Sequence, residues 1–190
     1  MDFKGSKTEK NLLAAFAGES QARNRYTYFA SAARNEGFEQ ISAIFLETAD
    51  NEKEHAKIFF QHLQGGVVEI TATYPAGTIA KTADNLIAAA EGEKLEWGAI
   101  YPDFAKIAKE EGFPKVAESF TQIAEVEHFH ESRYRALLKD VKEGTVFKKS
   151  KLVKWHCRNC GYIHEGTEAP KVCPACKHAQ SFYEVLAENW

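Results

Sequence analysis

The chain of 190 residues lacks the features that mark membrane proteins and nucleic-acid-binding proteins. No apolar run approaches the roughly 20 residues that a membrane-spanning helix needs, and the first residues, Met-Asp-Phe-Lys-Gly-Ser, lack the apolar core of a signal peptide. The net charge of -3 provides no excess of positive charge to attract nucleic acid or an anionic membrane surface. We therefore expect neither nucleic acid nor a membrane among its partners.

Cysteine is scarce as well, because the chain has 4 cysteines and all of them lie in two pairs near the C-terminus. The pairs are Cys157-x-x-Cys160 and Cys173-x-x-Cys176. Two such pairs a short loop apart can close a tetrahedral thiolate site around one metal ion. No cysteine remains for a disulfide bond, which favours a reducing compartment, so we predict a cytoplasmic protein.

The rest of the chain is dominated by helical patterns. Apolar residues recur at three- and four-residue spacing over residues 7–64, with a break at Gly37, and again from about residue 82 to about residue 142, with a break at Gly112. Residues 67–81 contain many β-branched residues and have no helical period, which indicates a long connection. The pattern predicts two helical hairpins joined by a crossover.

The second hairpin repeats the first with an offset of 75 residues. The Glu-Gly-Phe turn at 36–38 recurs at 111–113, and three functional residue types recur with it. These equivalent pairs are Tyr26 and Tyr101, Glu52 and Glu127, and His55 and His130. Two duplicated hairpins with a long crossover predict an all-α four-helix bundle with ferritin-like architecture.

One irregularity interrupts the repeat. Gly18-Glu19 matches Gly92-Glu93 only at an offset of 74, so one extra residue enters between Glu96 and Tyr101. A helix absorbs an extra residue most simply as a π-bulge, and such bulges concentrate at functional sites. We predict an irregularity of this kind between Glu96 and Pro102.

The duplicated positions form a metal-ligand pattern. Residues three apart on a helix share a face, so each Glu-x-x-His motif can bind a metal ion. A single motif of this type is more often a surface feature, but two equivalent motifs favour metal binding. One Glu per helix plus two Glu-x-x-His motifs is the ligand set of di-iron and di-manganese bundle proteins. The predicted ligands are Glu19, Glu52, His55, Glu93, Glu127 and His130.

Three nearby residues extend this site. Glu96 has no carboxylate counterpart in the first hairpin, where Ala22 occupies the equivalent position. It is either an additional ligand that allows one metal to change partners or a solvent-exposed Glu. Tyr26 and Tyr101 either belong to the core or donate hydrogen bonds to ligand carboxylates. In the second case they would help to position substrate and deliver protons.

The cysteine-rich segment has two possible metals. Zinc ribbons use the same spacing, and the cysteines alone favour zinc. Cys-Gly-Tyr after the first pair, Cys-Pro-Ala-Cys in the second, and a neighbouring di-metal site favour iron. A module of about forty residues depends on its metal for folding. A small aromatic core is expected from Trp155, Tyr162, Phe182 and Trp190.

Together these motifs resemble those of the rubrerythrin family. The resemblance is carried by Gly18-Glu19-Ser20, Glu52-x-x-His55, Glu93-x-x-Glu96, Glu127-x-x-His130 and the two cysteine pairs. It implies a ferritin-like di-iron bundle over residues 1–145, a linker over 146–153, and a rubredoxin-like domain over 154–190 that binds one iron through Cys157, Cys160, Cys173 and Cys176.

The resemblance also implies a function. Rubrerythrins are non-haem di-iron peroxidases that reduce hydrogen peroxide to water and protect against oxidative stress, with electrons relayed through the one-iron centre. A reductase or small redox protein would donate the electrons, and two chains would form a homodimer with electron transfer between subunits. Glu96 and His55 would exchange as ligands of one iron. Two alternatives remain: a ferritin-like ferroxidase or iron-handling protein, which would not need the cysteines, and a non-enzymatic sensing or interaction protein with a zinc ribbon.

Overall fold

Two antiparallel helical hairpins build the larger part of the molecule, and a small sheet follows them. The computed structural model describes residues 2–189. The predicted four-helix bundle is confirmed, with helices α1 (Lys7–Asn35), α2 (Glu39–His62), α3 (Thr82–Leu95), α4 (Tyr101–Glu110) and α5 (Pro114–Glu143). Helices α3 and α4 are the two parts of one bundle helix. Within the described residues, no helix combines the length and the apolarity that crossing a membrane requires.

The predicted irregularity lies between α3 and α4. Residues Glu96–Ile100 form a π-helix, so the extra residue widens one turn and the helix continues without a break. Pro102 follows in the first turn of α4. Because proline has no amide hydrogen, it donates no hydrogen bond to the backbone ladder at this point. The offset change from 74 to 75 in the repeat therefore has a direct structural counterpart.

The turn of each hairpin also stabilises the other hairpin. Gly37 and Gly112 adopt positive φ angles of 83° and 88°, which glycine accepts without strain. The Glu36 carboxylate before the first glycine accepts hydrogen bonds from the backbone N and hydroxyl of Thr82, at the start of α3. Glu111 accepts the equivalent pair from Thr8, at the start of α1. Each carboxylate thus caps the start of a helix in the other hairpin, where backbone amides lack partners within the helix. Its negative charge also interacts favourably with the dipole of that helix.

The bundle has two apolar clusters with a polar layer between them. Residues Tyr26, Phe45, Leu86 and Tyr134 belong to one cluster. Their repeat equivalents Tyr101, Phe120, Leu12 and Phe59 belong to the other. On each bundle helix the candidate ligands lie in sequence between residues of the two clusters. The duplicated core therefore holds the polar layer from both sides.

The C-terminal segment folds as a three-stranded antiparallel sheet in the order β2-β1-β3. The strands are β1 (Lys148–Cys157), β2 (Ile163–Glu168) and β3 (Tyr183–Val185), and a 3-10 turn at Gln180–Phe182 precedes the last one. Trp155 and Tyr183 are fully buried with Cys157 and Cys173, and Tyr162 and Phe182 pack against them. Of the expected aromatic core, Trp190 lies outside the described residues.

The structure differs from the expected linker at 146–153. Strand β1 begins at Lys148, which pairs with Glu168 of β2, so most of this segment belongs to the sheet. Phe147 stacks on Phe38 of the bundle, with ring centroids 6.2 Å apart and planes inclined by 10°. Cysteine spacing located the small domain, but it carries no information about the strand that precedes the first cysteine. The bundle limits 1–145 stay a prediction, whereas the small domain also includes the strand residues before 154.

Candidate metal centres

Six predicted ligands converge in the polar layer of the bundle, and all six side chains are buried. Their donor atoms form two groups of four, within each of which all atoms lie within 4.8 Å of one another. One group consists of Glu19, Glu52, His55 and Glu127, and the other of Glu52, Glu93, Glu127 and His130. Glu52 and Glu127 belong to both groups. The arrangement thus provides two adjacent positions for cations, with two carboxylates shared between them.

Each imidazole faces the shared carboxylates through its Nδ1 atom. His55 Nδ1 lies 2.9 Å from Glu52 Oε2 and 2.8 Å from Glu127 Oε1. His130 Nδ1 lies 2.7 Å from Glu127 Oε2 and 3.4 Å from Glu52 Oε1. Glu93 Oε2 is 3.7 Å from the same His130 nitrogen. Donor atoms from α2, α3 and α5 therefore lie close enough together to bind the same cations.

Eight of these buried donor atoms have no hydrogen-bond partner among the described residues. They are both oxygens of Glu52 and of Glu127, Oε2 of Glu19 and of Glu93, and Nδ1 of His55 and of His130. Burying carboxylates without a partner costs several kcal/mol each. Carboxylates with one imidazole per position are a typical donor set for iron and manganese. The orphaned atoms fit two such cations.

In the protein without metal, the cluster would retain protons. Burial and the neighbouring carboxylates raise the pKa of Glu19 and of Glu127 well above the ordinary value, and burial with Glu52 nearby raises the pKa of Glu93. Burial opposes protonation of His130, but the adjacent carboxylates of Glu127, Glu52 and Glu93 outweigh it and raise its pKa. Metal binding must therefore displace protons.

Two buried tyrosines hold the two glutamates that the groups do not share. The Tyr26 hydroxyl donates to Glu93 Oε1 at 2.5 Å, and the Tyr101 hydroxyl donates to Glu19 Oε1. Each bond crosses from one hairpin to the other. In both glutamates, the Oε2 atom remains without a hydrogen-bond partner. Each tyrosine thus engages one carboxylate oxygen and leaves the second available to a cation.

Glu96 does not join either group of four. It is the first residue of the π-helix, one turn beyond Glu93, and its side chain is half-buried. Burial and the nearby carboxylates of Glu93, Glu127 and Glu52 raise its pKa well above the ordinary value, while Arg25 acts in the opposite direction. The structure therefore brings Glu96 near the cluster and leaves it outside the converging donors.

Sequence reasoning missed Asn51 at this site. His130 Nε2 lies 3.2 Å from Asn51 Oδ1, an acceptor that fixes the proton on Nε2 and leaves Nδ1 free for a metal. The repeat gives no signal for Asn51, because the equivalent residue in the second hairpin is Val126.

The four cysteines converge in the small sheet domain. Cys157 Sγ lies 3.8 Å from Cys176 Sγ, and Cys160 Sγ lies 3.7 Å from Cys173 Sγ. A tetrahedral site with metal–sulfur bonds of about 2.3 Å has sulfur–sulfur edges of about 3.8 Å, whereas a disulfide bond would need about 2.05 Å. The sulfur atoms therefore fit one tetrahedral metal ion.

Both cysteine pairs belong to similar turns. Gly161 N donates to Cys157 O, and Lys177 N donates to Cys173 O, each over a distance of 2.9 Å. Gly161 and Lys177 have positive φ angles of 81° and 65°. The chain thus folds back sharply after each pair, which turns the two sulfurs of a pair towards one point.

Comparisons with known proteins agree with both centres. The family model described as rubrerythrin matches residues 10–138, and the model of the rubrerythrin rubredoxin-like domain matches residues 155–184. The rubrerythrin of Porphyromonas gingivalis is 58% identical over 98% of this chain and 94% of its own length. That of Nitratidesulfovibrio vulgaris is 57% identical over 98% of each chain. A solved structure of nigerythrin in a mixed-valence state covers 97% of this chain and 88% of its own, with 34% identity and a TM-score of 0.64.

Proposed function

This chain belongs to the rubrerythrin family, and we propose that it reduces hydrogen peroxide to water at a di-iron centre in the bundle, with electrons relayed through the four-cysteine iron site. Rubrerythrins are oxidoreductases, and the chain carries donor sets for both of the family's iron centres. The observation that carries the proposal is this pairing of a buried six-ligand cluster with a thiolate site in one chain. An iron-storing bundle would not need the second site.

The reaction consumes two electrons and two protons for each peroxide. When bound, two ferrous ions supply the two electrons that cleavage of the O–O bond requires. The glutamates and histidines of the two groups of four would hold these ions, and Glu52 and Glu127 belong to both groups. Tyr26 and Tyr101 orient the unshared ligands Glu93 and Glu19 through the hydrogen bonds described above.

Glu96 has two proposed roles, of which the family resemblance implies the first and its place beside the cluster supports the second. Its carboxylate can replace the His55 imidazole as a ligand, which changes the charge at that position. It also carries a proton towards the peroxide, because it borders a cavity that Tyr101 also lines. The side chain is half-buried and lies on the widened turn of the π-helix, which supports the proposal that Glu96 changes position.

Electrons enter the protein at the four-cysteine site. Cys160 is exposed while Cys157 and Cys173 are buried, so one cysteine of the site lies at the surface where a donor can approach. The donor is a reductase or a small redox protein. From the family resemblance we further propose a homodimer in which the cysteine site of one chain serves the bundle of its partner. Four cysteines in metal-binding geometry support a reducing, cytoplasmic setting.

Steady-state peroxide consumption tests the proposal. The iron-loaded chain is supplied with a one-electron protein donor, and the Cys160→Ser variant is compared with Asn159→Ser, which changes the same exposed turn without removing a sulfur. We expect the wild type and Asn159→Ser to consume peroxide, and Cys160→Ser to stall after its bound electrons are spent. Equal turnover by all three chains would refute the relay. Oxidation of ferrous iron and accumulation of the ferric product, without peroxide consumption, would favour the ferroxidase alternative.

A further inference from the structure

A cavity of about 370 Å³ lies beside the six-ligand cluster, between α1, the π-helix and the crossover. On the cluster side its walls include Gly18 and Gly92, which directly precede the ligands Glu19 and Glu93, together with Glu96 and Tyr101. On the outer side, the exposed crossover residues 73–75 close it in part. The cavity thus connects the surface of the protein to the immediate neighbours of the proposed reaction site.

The volume of this cavity is much larger than hydrogen peroxide requires. A water molecule occupies roughly 30 Å³ in the liquid, and hydrogen peroxide contains only one more oxygen atom. Pockets that bind organic small molecules typically begin at roughly 300 Å³. The cavity therefore has the size of a pocket for a compact organic molecule.

The walls combine an apolar surface with a few polar groups, as in small-molecule pockets. Ala14, Leu95, Ile100 and Phe104 provide apolar contacts, and Arg25 and Glu96 provide polar groups. The Nε atom of Arg25 is buried and has no hydrogen-bond partner among the described residues. An oxygen-containing ligand could accept from it.

The absence of a side chain at Gly18 helps to keep the cavity open. A glycine in the interior of α1 costs helix stability relative to alanine. Packing does not demand glycine there, because a Cβ atom built on Gly18 meets no atom within 4 Å, and its φ angle is not positive. The missing side chain therefore enlarges the cavity next to Glu19.

From this geometry we propose that the site also reduces organic hydroperoxides with a compact alkyl or aryl group. The inference rests on the proposed function and extends its substrate class. The peroxy group lies by Glu96 and Tyr101, and the organic group lies against Ala14, Leu95 and Phe104. The reaction is ROOH + 2 e⁻ + 2 H⁺ → ROH + H₂O, in which the O–O bond breaks and the alcohol leaves with one oxygen. The electrons come from the one-electron protein donor that also serves hydrogen peroxide reduction.

The test compares cumene hydroperoxide with hydrogen peroxide as substrates of the iron-loaded, full-length protein. The Ala14→Leu variant places a larger side chain in the cavity wall, and Ala17→Leu adds the same group to α1 at a residue outside the wall. Binding is measured separately on zinc-loaded protein, which cannot reduce the substrate, by saturation-transfer NMR with 2-phenyl-2-propanol, the alcohol product. Melting curves check that both variants fold.

We expect the wild type and Ala17→Leu to reduce both peroxides and to bind the alcohol. Ala14→Leu should lower the ratio of kcat/KM for cumene hydroperoxide to that for hydrogen peroxide by about tenfold or more, and should lose the NMR signal. Reduction of hydrogen peroxide but not of cumene hydroperoxide would overturn this inference alone. Activity towards neither would overturn the proposed function, and an equal effect of the two variants would overturn the assignment to this cavity.

Discussion

The hydrogen bond from Tyr26 to Glu93 provides a sharp test of the di-metal site. The Tyr26→Phe substitution removes only a hydroxyl group, because the ring remains packed against Phe45 and Tyr134. It leaves Glu93 Oε1, a buried oxygen, without its donor. We expect weaker metal binding on the side of Glu93 and His130, since Glu93 loses the contact that orients it.

The structure sets the size of this effect. A hydrogen bond to a charged group contributes about 1.5–3 kcal/mol, and loss of a group that orients a metal ligand typically lowers metal affinity about 10- to 100-fold. These ranges agree, since tenfold corresponds to about 1.4 kcal/mol. Tyr101→Phe should weaken the Glu19 and His55 side to a similar extent, because Tyr101 makes the equivalent contact.

The chain provides a matched control in Tyr134. Its ring is equally buried, and its hydroxyl donates to none of the ligand carboxylates. Its repeat equivalent is Phe59, so phenylalanine already occupies this environment in the other half of the bundle. Titration of each metal-free variant with Mn²⁺ against a competing chelator measures both affinities. If Tyr26→Phe and Tyr134→Phe bind Mn²⁺ equally well, the tyrosine hydroxyl does not support the ligand.

Three further predictions concern Glu96, the C-terminal cysteine domain and the stability of the metal-free protein. Glu96→Ala should retain the same number of metal ions per chain as the wild type by elemental analysis but reduce peroxide more slowly, because Glu96 lies outside both groups of four; loss of metal from the bundle would make it an obligatory ligand. Cys173→Ser should remove hydrogen-exchange protection from the C-terminal sheet and leave the melting of the bundle unchanged, because only the small module depends on its metal, and a destabilised bundle would contradict this. The metal-free protein should melt at a lower temperature at pH 8 than at pH 6. The raised pKa values of Glu19, Glu127 and His130 mean that the folded state binds more protons than the unfolded state, so stability falls as pH rises; a higher melting temperature at pH 8 would contradict the raised values.

The duplicated features of the fold were accessible from the sequence. Offsets of 74 and 75 residues between equivalent Glu, His and Tyr positions predict the two hairpins, the shared ligand layer and the widened turn at Glu96–Ile100. A repeat is informative because each match constrains two places in the structure. The cysteine spacing similarly predicts one tetrahedral site, which the sulfur–sulfur distances of 3.7 and 3.8 Å support.

Contacts that join distant, unrelated positions were not accessible. Asn51 supports His130 but has no counterpart in the repeat, and Arg25 of α1 borders a cavity that residues of the crossover also line. The caps that Glu36 and Glu111 provide are themselves duplicated, yet their partners lie in the opposite hairpin. Such pairings depend on how helices pack, which the periodicity of one helix does not specify.

The rates at which hydrogen peroxide and dioxygen oxidise the di-iron centre, measured separately, test the proposed peroxidase activity most directly. The iron-loaded protein is fully reduced without oxygen, freed of excess reductant, and mixed in a stopped-flow instrument with hydrogen peroxide or with dioxygen. We predict that peroxide oxidises the di-iron centre at least about tenfold faster, a difference of about 1.4 kcal/mol in barrier, with one peroxide consumed for two ferrous ions. Faster oxidation by dioxygen, with release of hydrogen peroxide as a product, would contradict a peroxidase and identify a ferroxidase.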